Sequence, residues 1–212
     1  MSPRSDTLRG HDDMVELALK SPLIDNTTYP YVHPLHVINL AQEANVRIVI
    51  PSALYFLSLY PLDDLLRANH PKLMVEHPSR PSSTLSLSDI RDYTLMFQYR
   101  LDLILDFVRR FCGERAADPS CLNGKSCTQG FSRLASRLSR SWMMRTGPLH
   151  YMVQAMDELS GDRTICSTCQ NAFRQDVTMY REDIWKNMPS ILGLPSWQDM
   201  KVMDLQTCPE FK

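Results

Sequence analysis

Apolar residues recur every three or four positions over most of this chain, the spacing that places them on one face of an α-helix. The first third of the chain predicts four short helices, over residues 12–19, 35–44, 50–59 and 62–68. The remainder predicts longer helices over residues 86–111, 128–144, 149–159 and 166–187, then a short terminal helix capped by Ser196. The only β-branched cluster runs from Val46 to Ile50. The pattern therefore predicts an all-α fold, an irregular bundle of about seven or eight helices.

Proline- and serine-rich stretches divide these helices into segments. Residues 1–34 are predicted to form a partly irregular N-terminal lead-in, and residues 35–69 a small helical subcore. Residues 70–85 are rich in proline and serine, which indicates a loop or an internal boundary. Residues 86–206 are predicted to form the main helical bundle, and this segment contains two pairs of cysteines.

Composition and charge narrow the classes of function. The chain has 212 residues, of which 43% are hydrophobic and 22% charged, as in ordinary globular proteins. Its formal net charge of −1 disfavours a nucleic-acid or membrane-surface partner, because both attract an excess of positive charge. The N-terminus lacks the apolar core of a secretory signal, so we expect an intracellular protein, cytoplasmic or nuclear. The common nucleophile, metalloprotease and phosphate-loop motifs are all missing, so we expect no enzymatic activity.

The cysteine spacing carries the main chemical signal. Cys121 and Cys127 are spaced C-x5-C in a turn containing Asn and Gly, and Cys166 and Cys169 are spaced C-x2-C at a predicted helix start. Two cysteine pairs on separate turns can supply the four soft ligands that a tetrahedral zinc site needs. A helix N-terminus and the nearby Arg163 would both favour the thiolate form of the second pair. The spacing predicts one structural zinc that joins the start of one helix to the start of another.

Other interpretations of the cysteine pattern stay open at this point. The thiols could simply be buried or free, and Cys112 or Cys208 could replace one of the four proposed ligands. A redox pair at Cys166 and Cys169 is a further alternative, although no βαβ pattern surrounds it.

A basic stripe gives an alternative function. Arg133, Arg137 and Arg140 fall on one predicted helical face, so a zinc-stabilised nucleic-acid-binding or regulatory module could use them. The usual interpretation of such a stripe is a solvated face balanced by acidic residues elsewhere, here residues 157–162.

Two further groups of residues are given structural interpretations. His33 and His36 lie in a proline-rich stretch with Asp25, and we expect these two histidines to face solvent rather than to bind a metal. A group of sulfur-containing and aromatic side chains is expected to fill gaps in the core. This group comprises Trp142, Met143, Met144, Met152 and Met156.

The chain also resembles a known family. The run HVINLAQEANVRIVIPSALYFLSLYPLDDLL resembles a stretch that follows the BTB/POZ domain in basidiomycete fungal proteins. The same order continues through the paired-cysteine turn, the C-x2-C motif and the ending DIWKNMPSILGLPSWQDM, so the resemblance covers residues 35–205. It implies that the cysteine pairs are a shared feature of the family pattern, which strengthens the zinc prediction.

The N-terminus departs from that family. A BTB/POZ domain has no room before Leu35, so we expect this chain to correspond to the C-terminal region alone. The homodimerisation and ubiquitin-ligase adaptor work that the family implies belong to the missing domain, and the oligomeric state of this chain is left open. The leading hypothesis is a non-enzymatic scaffold or protein-interaction region that presents a surface to a protein partner of unknown identity.

Overall fold

The computed structural model describes residues 32–68, 73 and 84–207. These residues contain eight α-helices and no strand, so the all-α prediction is confirmed for the described part of the chain. The helices are α1 (Pro34–Glu43), α2 (Ile50–Leu57), α3 (Leu62–Arg67), α4 (Leu87–Asp106), α5 (Gly124–Ser141), α6 (Pro148–Ser160), α7 (Ser167–Ile191) and α8 (Trp197–Thr207). A π-helical segment, Phe107–Gly113, follows α4 directly.

Most helix boundaries lie within three residues of the predicted ones, and three differ by more. The long helix predicted to reach residue 111 changes from α to π geometry after Asp106. The helix predicted to begin at residue 128 begins at Gly124, which brings Cys127 into its first turn. The helix predicted to end near residue 187 continues to Ile191. The predicted helix over 12–19 and nearly all of the predicted loop over 70–85 lie outside the described residues.

The described residues divide into two compact units. The first unit comprises those up to Tyr99 together with those from Trp185 onward, and the second runs from Arg100 to Ile184. The two divisions therefore fall within α4 and within α7. The predicted division into segments at residues 34, 69 and 85 stays a prediction.

The first unit is built on an apolar core. Pro34 and Pro51 occupy the first turns of α1 and α2, where the missing N–H of proline has no cost. Each helix then turns one apolar face inward, and the buried side chains form a single cluster. That cluster contains Leu35, Ile38, Ala53, Leu54, Leu57, Tyr60, Leu65, Leu73 and Tyr93.

His33 corrects the expectation that the histidines of this stretch face solvent. Its side chain is 1% exposed, and its Nδ1 accepts a hydrogen bond of 3.2 Å from the backbone N–H of Leu35. It is therefore the N-cap of α1, and its ring lies 4.5 Å from that of Tyr60, centroid to centroid. His36 is half-buried beside it.

The extension of α7 past a proline has a physical cause. Pro189 has no N–H, so the carbonyl of Trp185, four residues earlier, loses its helical partner. The indole N–H of Trp197 donates to that carbonyl at 2.7 Å, and the two indole rings stack with centroids 5.2 Å apart. The helix therefore tolerates Pro189 because α8 satisfies the freed oxygen.

The second unit combines an aromatic core with a buried hydrogen bond between α7 and α6. Phe107, Phe131 and Phe173 are fully buried, with the rings of Phe131 and Phe173 stacked 5.7 Å apart. The guanidinium of Arg181, also fully buried, donates to the carbonyl of Leu149 at 2.9 Å. These contacts position α5, α6 and α7, on which the candidate site lies.

The expected core methionines split into two groups. Met152 and Met156 on α6 are buried, as predicted. Met143 and Met144 are 70% and 65% exposed, so the core interpretation is wrong for them. They lie in the connection after α5, where the chain has left the helical face that faces the core. None of the helices in the described residues is both long and apolar enough to cross a membrane.

Candidate metal centre

Two helix starts carry the four paired cysteines. Cys121 lies in the turn before α5 and Cys127 in the first turn of that helix. Cys166 directly precedes α7, and Cys169 lies in its first turn. All four therefore belong to the second unit, although the two pairs lie far apart in the sequence.

The structure brings the four sulfurs together. All four lie within 4.8 Å of one another, and the Sγ of Cys121 is 3.6 Å from those of Cys127 and Cys166. A disulfide would require about 2.05 Å, and these thiols are free. A tetrahedron with metal–sulfur bonds of about 2.3 Å separates its sulfurs by about 3.8 Å. The cluster is therefore compatible with one tetrahedral metal ion bound by four cysteines.

Backbone N–H groups surround the sulfurs. Asn123 donates to the sulfur of Cys121 at 3.4 Å, and the backbone N–H of Cys166 donates to the sulfur of Cys127 at 3.4 Å. The backbone N–H of Asp118 donates to Cys169 at 3.3 Å. Hydrogen bonds of this kind stabilise a thiolate and fix the direction of the sulfur, so they favour metal ligation.

The thiols differ in acidity. The backbone N–H of Cys169 hydrogen-bonds to Cys166 and lowers the pKa of that thiol to about 7. Burial raises the pKa of Cys127, and it raises the pKa of Cys169 to about 12. Cys166 is therefore the readiest of these three to lose its proton. Arg163, which was predicted to favour the thiolate form of the second pair, does not contribute to the lowered pKa of Cys166.

Each cysteine pair is preceded by the same kind of turn. The carboxylate of Asp118 accepts a hydrogen bond of 2.9 Å from the backbone N–H of Ser120, just before Cys121. The carboxylate of Asp162 accepts one of 2.9 Å from the backbone N–H of Thr164, just before Cys166. The hydroxyls of Ser120 and Thr164 donate to the same carboxylates, and these bonds, followed by the backbone ones, lower the pKa of both carboxyl groups. An Asp two residues before Ser or Thr is a known turn signal, and it could have identified both turns from the sequence.

Gly130 allows the two cysteine turns to approach. A Cβ at this position would lie 2.3 Å from Cγ1 of Ile165 and 3.2 Å from Oγ1 of Thr164. Only a glycine on α5 leaves room for the chain that leads into Cys166. The sequence offers a glycine inside a predicted helix as a signal of close approach, but it does not identify what approaches.

The other two cysteines have different positions. Cys112 is fully buried outside the cluster, and burial raises the pKa of its thiol to about 12. It is thus not one of the grouped sulfurs. Cys208 lies outside the described residues.

The three arginines of the basic stripe make contacts within the chain. Arg137 forms ion pairs with Glu158 at 3.4 Å and with Asp162 at 3.7 Å. Arg133 donates to Oγ1 of Thr164 at 2.7 Å, and Arg140 donates to the carbonyl of Ser136 at 3.1 Å. Two of the acidic residues expected to balance the stripe, Glu158 and Asp162, thus pair with Arg137.

Comparisons with known proteins give no relative for this chain. No family model, no curated protein and no solved structure matches it. The resemblance to the C-terminal region of fungal BTB/POZ proteins therefore stays a prediction.

Proposed function

We propose that this region is a non-catalytic protein-interaction scaffold of intracellular fungal BTB/POZ-type proteins, and that one structural zinc ion holds the starts of α5 and α7 together. The observation that carries the proposal is the approach of four free cysteine sulfurs to within 4.8 Å of one another. Zinc bound by four cysteines has no open position for water or substrate, so its role is folding rather than catalysis. The scaffold role itself rests on the family resemblance.

The donor set favours zinc over other metals. Thiolates are soft ligands, which select zinc, copper(I) or iron–sulfur clusters, while magnesium and calcium prefer oxygen. A cluster of several iron atoms would hold its cysteines further apart than one tetrahedral ion does. A single iron ion would use the same geometry, but it would colour the protein.

The nucleic-acid alternative has less support. Its residues are Arg133, Arg137 and Arg140, and Arg137 already has two acidic partners. A phosphate would have to compete with those carboxylates, and its binding would weaken steeply with salt.

The test measures metal bound to protein that was purified without added zinc. We expect about one zinc per chain in the wild type and a loss of most of it in Cys166→Ser, because a structural site needs all four ligands. Cys112→Ala is the matched control, since it removes a buried thiol outside the cluster and is expected to retain the metal. Metal-free wild-type protein whose thiols all titrate freely would contradict the proposal.

A further inference from the structure

An open groove with an apolar side lies in the second unit, and none of the four clustered cysteines lines it. It has a volume of about 660 Å³ and runs between the C-terminal half of α4 and the end of α5. Its apolar lining consists of Ile104, Leu105, Val108 and Trp142. Leu105 is 57% exposed, so this groove leaves a large aliphatic side chain in water.

The chain next to the groove presents two further apolar side chains. Met143 and Met144 follow Trp142 directly, and both are mostly exposed. Methionine is flexible and polarisable, and it is common on surfaces that bind apolar segments. Met143 and Met144 do not line the groove, but they extend the exposed apolar chain from Trp142, which does.

This loop is held in place rather than free to collapse onto the core. The fully buried guanidinium of Arg100 donates to the carbonyls of Met144 and, at 2.7 Å, of Thr146. The backbone N–H of Met143 donates to Oγ1 of Thr146 at 2.8 Å, and the N–H of Thr146 returns a bond of 2.8 Å to the carbonyl of Met143. A loop fixed in this way keeps its methionines exposed and reduces the ordering cost of binding.

The charges at the groove are unequal. Asp106 is engaged by Arg109 at 3.4 Å, by Arg110 at 3.2 Å and by the hydroxyl of Tyr180 at 3.1 Å. Asp102 is exposed and has no ion pair or hydrogen bond with any of the described residues. Arg109 also lines the groove, but it pairs with Asp106 and, at 4.0 Å, with Glu114, so Asp102 is the one lining charge without a partner among the described residues.

We propose that this groove binds an amphipathic helix of a protein partner, with apolar residues at helical spacing and a Lys or Arg that faces Asp102. Helices dock in apolar grooves through side chains at i, i+3, i+4 and i+7, and an unpaired carboxylate at the edge selects a basic residue. The same carboxylate disfavours an anionic lipid surface. The inference rests on the proposed scaffold function, to which it adds the surface and the kind of partner.

The test selects binders from a displayed library of helical peptides with a fixed apolar face and random residues elsewhere. We expect the selected peptides to be rich in Lys and Arg. Leu105→Asp should weaken their binding at least about tenfold, because burying a carboxylate against the apolar face of the peptide costs more than its attraction to a basic residue returns. Trp142→Ala removes the aromatic part of the groove lining and is a second variant with the same expected direction. Met179→Asp is the matched control, since Met179 on α7 is 60% exposed and does not line the groove.

A selection against Asp102→Lys tests the charge argument. We expect acidic peptides to replace basic ones, because the variant reverses the charge at the edge. The proposal is overturned if selection enriches no peptides, if the peptides still bind Leu105→Asp, or if Asp102→Lys selects the same basic peptides.

Zinc content and helicity are measured on the same preparations. Zinc-loaded, helical protein without groove binding would overturn this inference and leave the zinc-held scaffold standing. Metal-free wild-type protein would overturn the zinc-held scaffold whatever the groove binds.

Discussion

The two compact units of this chain are both helical, but different contacts hold their helices together. In the first unit, α1, α2 and α3 surround a continuous apolar cluster that includes Leu35, Leu54 and Leu57. The second unit also has an aromatic core, but the starts of α5 and α7 converge on four sulfur atoms. Apolar packing depends only on the exclusion of water, whereas a sulfur cluster depends on the ion that it binds. The comparison predicts that the two units respond differently to the same treatments.

The largest effect is expected from metal removal. A chelator that strips zinc should increase hydrogen exchange in the first turns of α5 and α7 at least about tenfold, because metal-binding energy is folding energy at such sites. Exchange in α1–α3 should change little. If hydrogen exchange became equally faster in both units, or in neither, the two units would not differ in their dependence on metal. The measurement is amide exchange by mass spectrometry, with and without chelator.

A variant of the first unit provides the converse control. Leu57 is fully buried in the apolar cluster, and Leu57→Ala should cost about 2–5 kcal/mol through lost burial and the cavity left behind. It should accelerate exchange in α1–α3 and leave the zinc content unchanged.

A smaller effect is expected where α5 approaches the second cysteine turn. Gly130→Ala should destabilise the protein by about 1–3 kcal/mol, because the new methyl group would overlap the buried side chain of Ile165. Gly124→Ala in the same helix is the matched control, since its Cβ would meet only Ala117 at 3.7 Å. Urea unfolding of both variants gives the comparison. An equal effect of the two substitutions would show that the close approach is unimportant.

The smallest effect is expected at the turn before Cys166. Asp162→Ala removes hydrogen bonds from Thr164 and an ion pair with Arg137, which together are worth about 1–2 kcal/mol. Asp157→Ala is the matched control, because Asp157 is an exposed carboxylate on the neighbouring helix and makes no ion pair or side-chain hydrogen bond with the described residues. Urea unfolding should show a change of less than about 0.5 kcal/mol for the control.

The contribution of Asp162 should also depend on pH. Its hydrogen bonds hold the pKa of the carboxyl group below its unfolded value of about 3.9. The stabilisation is therefore complete above that value and is lost as the pH falls through the lower, folded pKa. The difference in stability between wild type and Asp162→Ala should be constant from neutral pH down to about 5 and shrink below about 4. A difference that grows on acidification would contradict the role of the carboxylate.

The sequence predicted the helices better than it predicted the contacts that position them. The helical spacing of apolar residues and the positions of the prolines predicted α1, α2 and α3 to within a few residues, because both signals are local in the sequence. The end of α7 was missed because its continuation past Pro189 depends on Trp197, which a local pattern does not bring into contact. The burial of His33 was missed for a similar reason, since its cap and its packing on Tyr60 arise only once the unit has folded.

The sequence predicted which four cysteines form the candidate site, but it did not predict the residues that pack around them. Metal-ligand spacing favoured these four cysteines but left Cys112 as a possible replacement, which the grouping of the four sulfurs in the structure excludes from the cluster. The clearance at Gly130 depends on where Ile165 lies in three dimensions, so no spacing rule reveals it. The exposed methionines were misassigned because sequence shows that a residue is apolar but not which way a loop turns it.

X-ray absorption at the zinc edge, on wild-type protein purified without added metal, reports directly on the four-cysteine site. We expect zinc surrounded by four sulfur atoms at about 2.3 Å, with no nitrogen or oxygen neighbour. Cys166→Ser should lose this spectrum and Cys112→Ala should retain it. Bound zinc with nitrogen or oxygen in place of one or more sulfurs would contradict the four-cysteine site, and so would the absence of zinc.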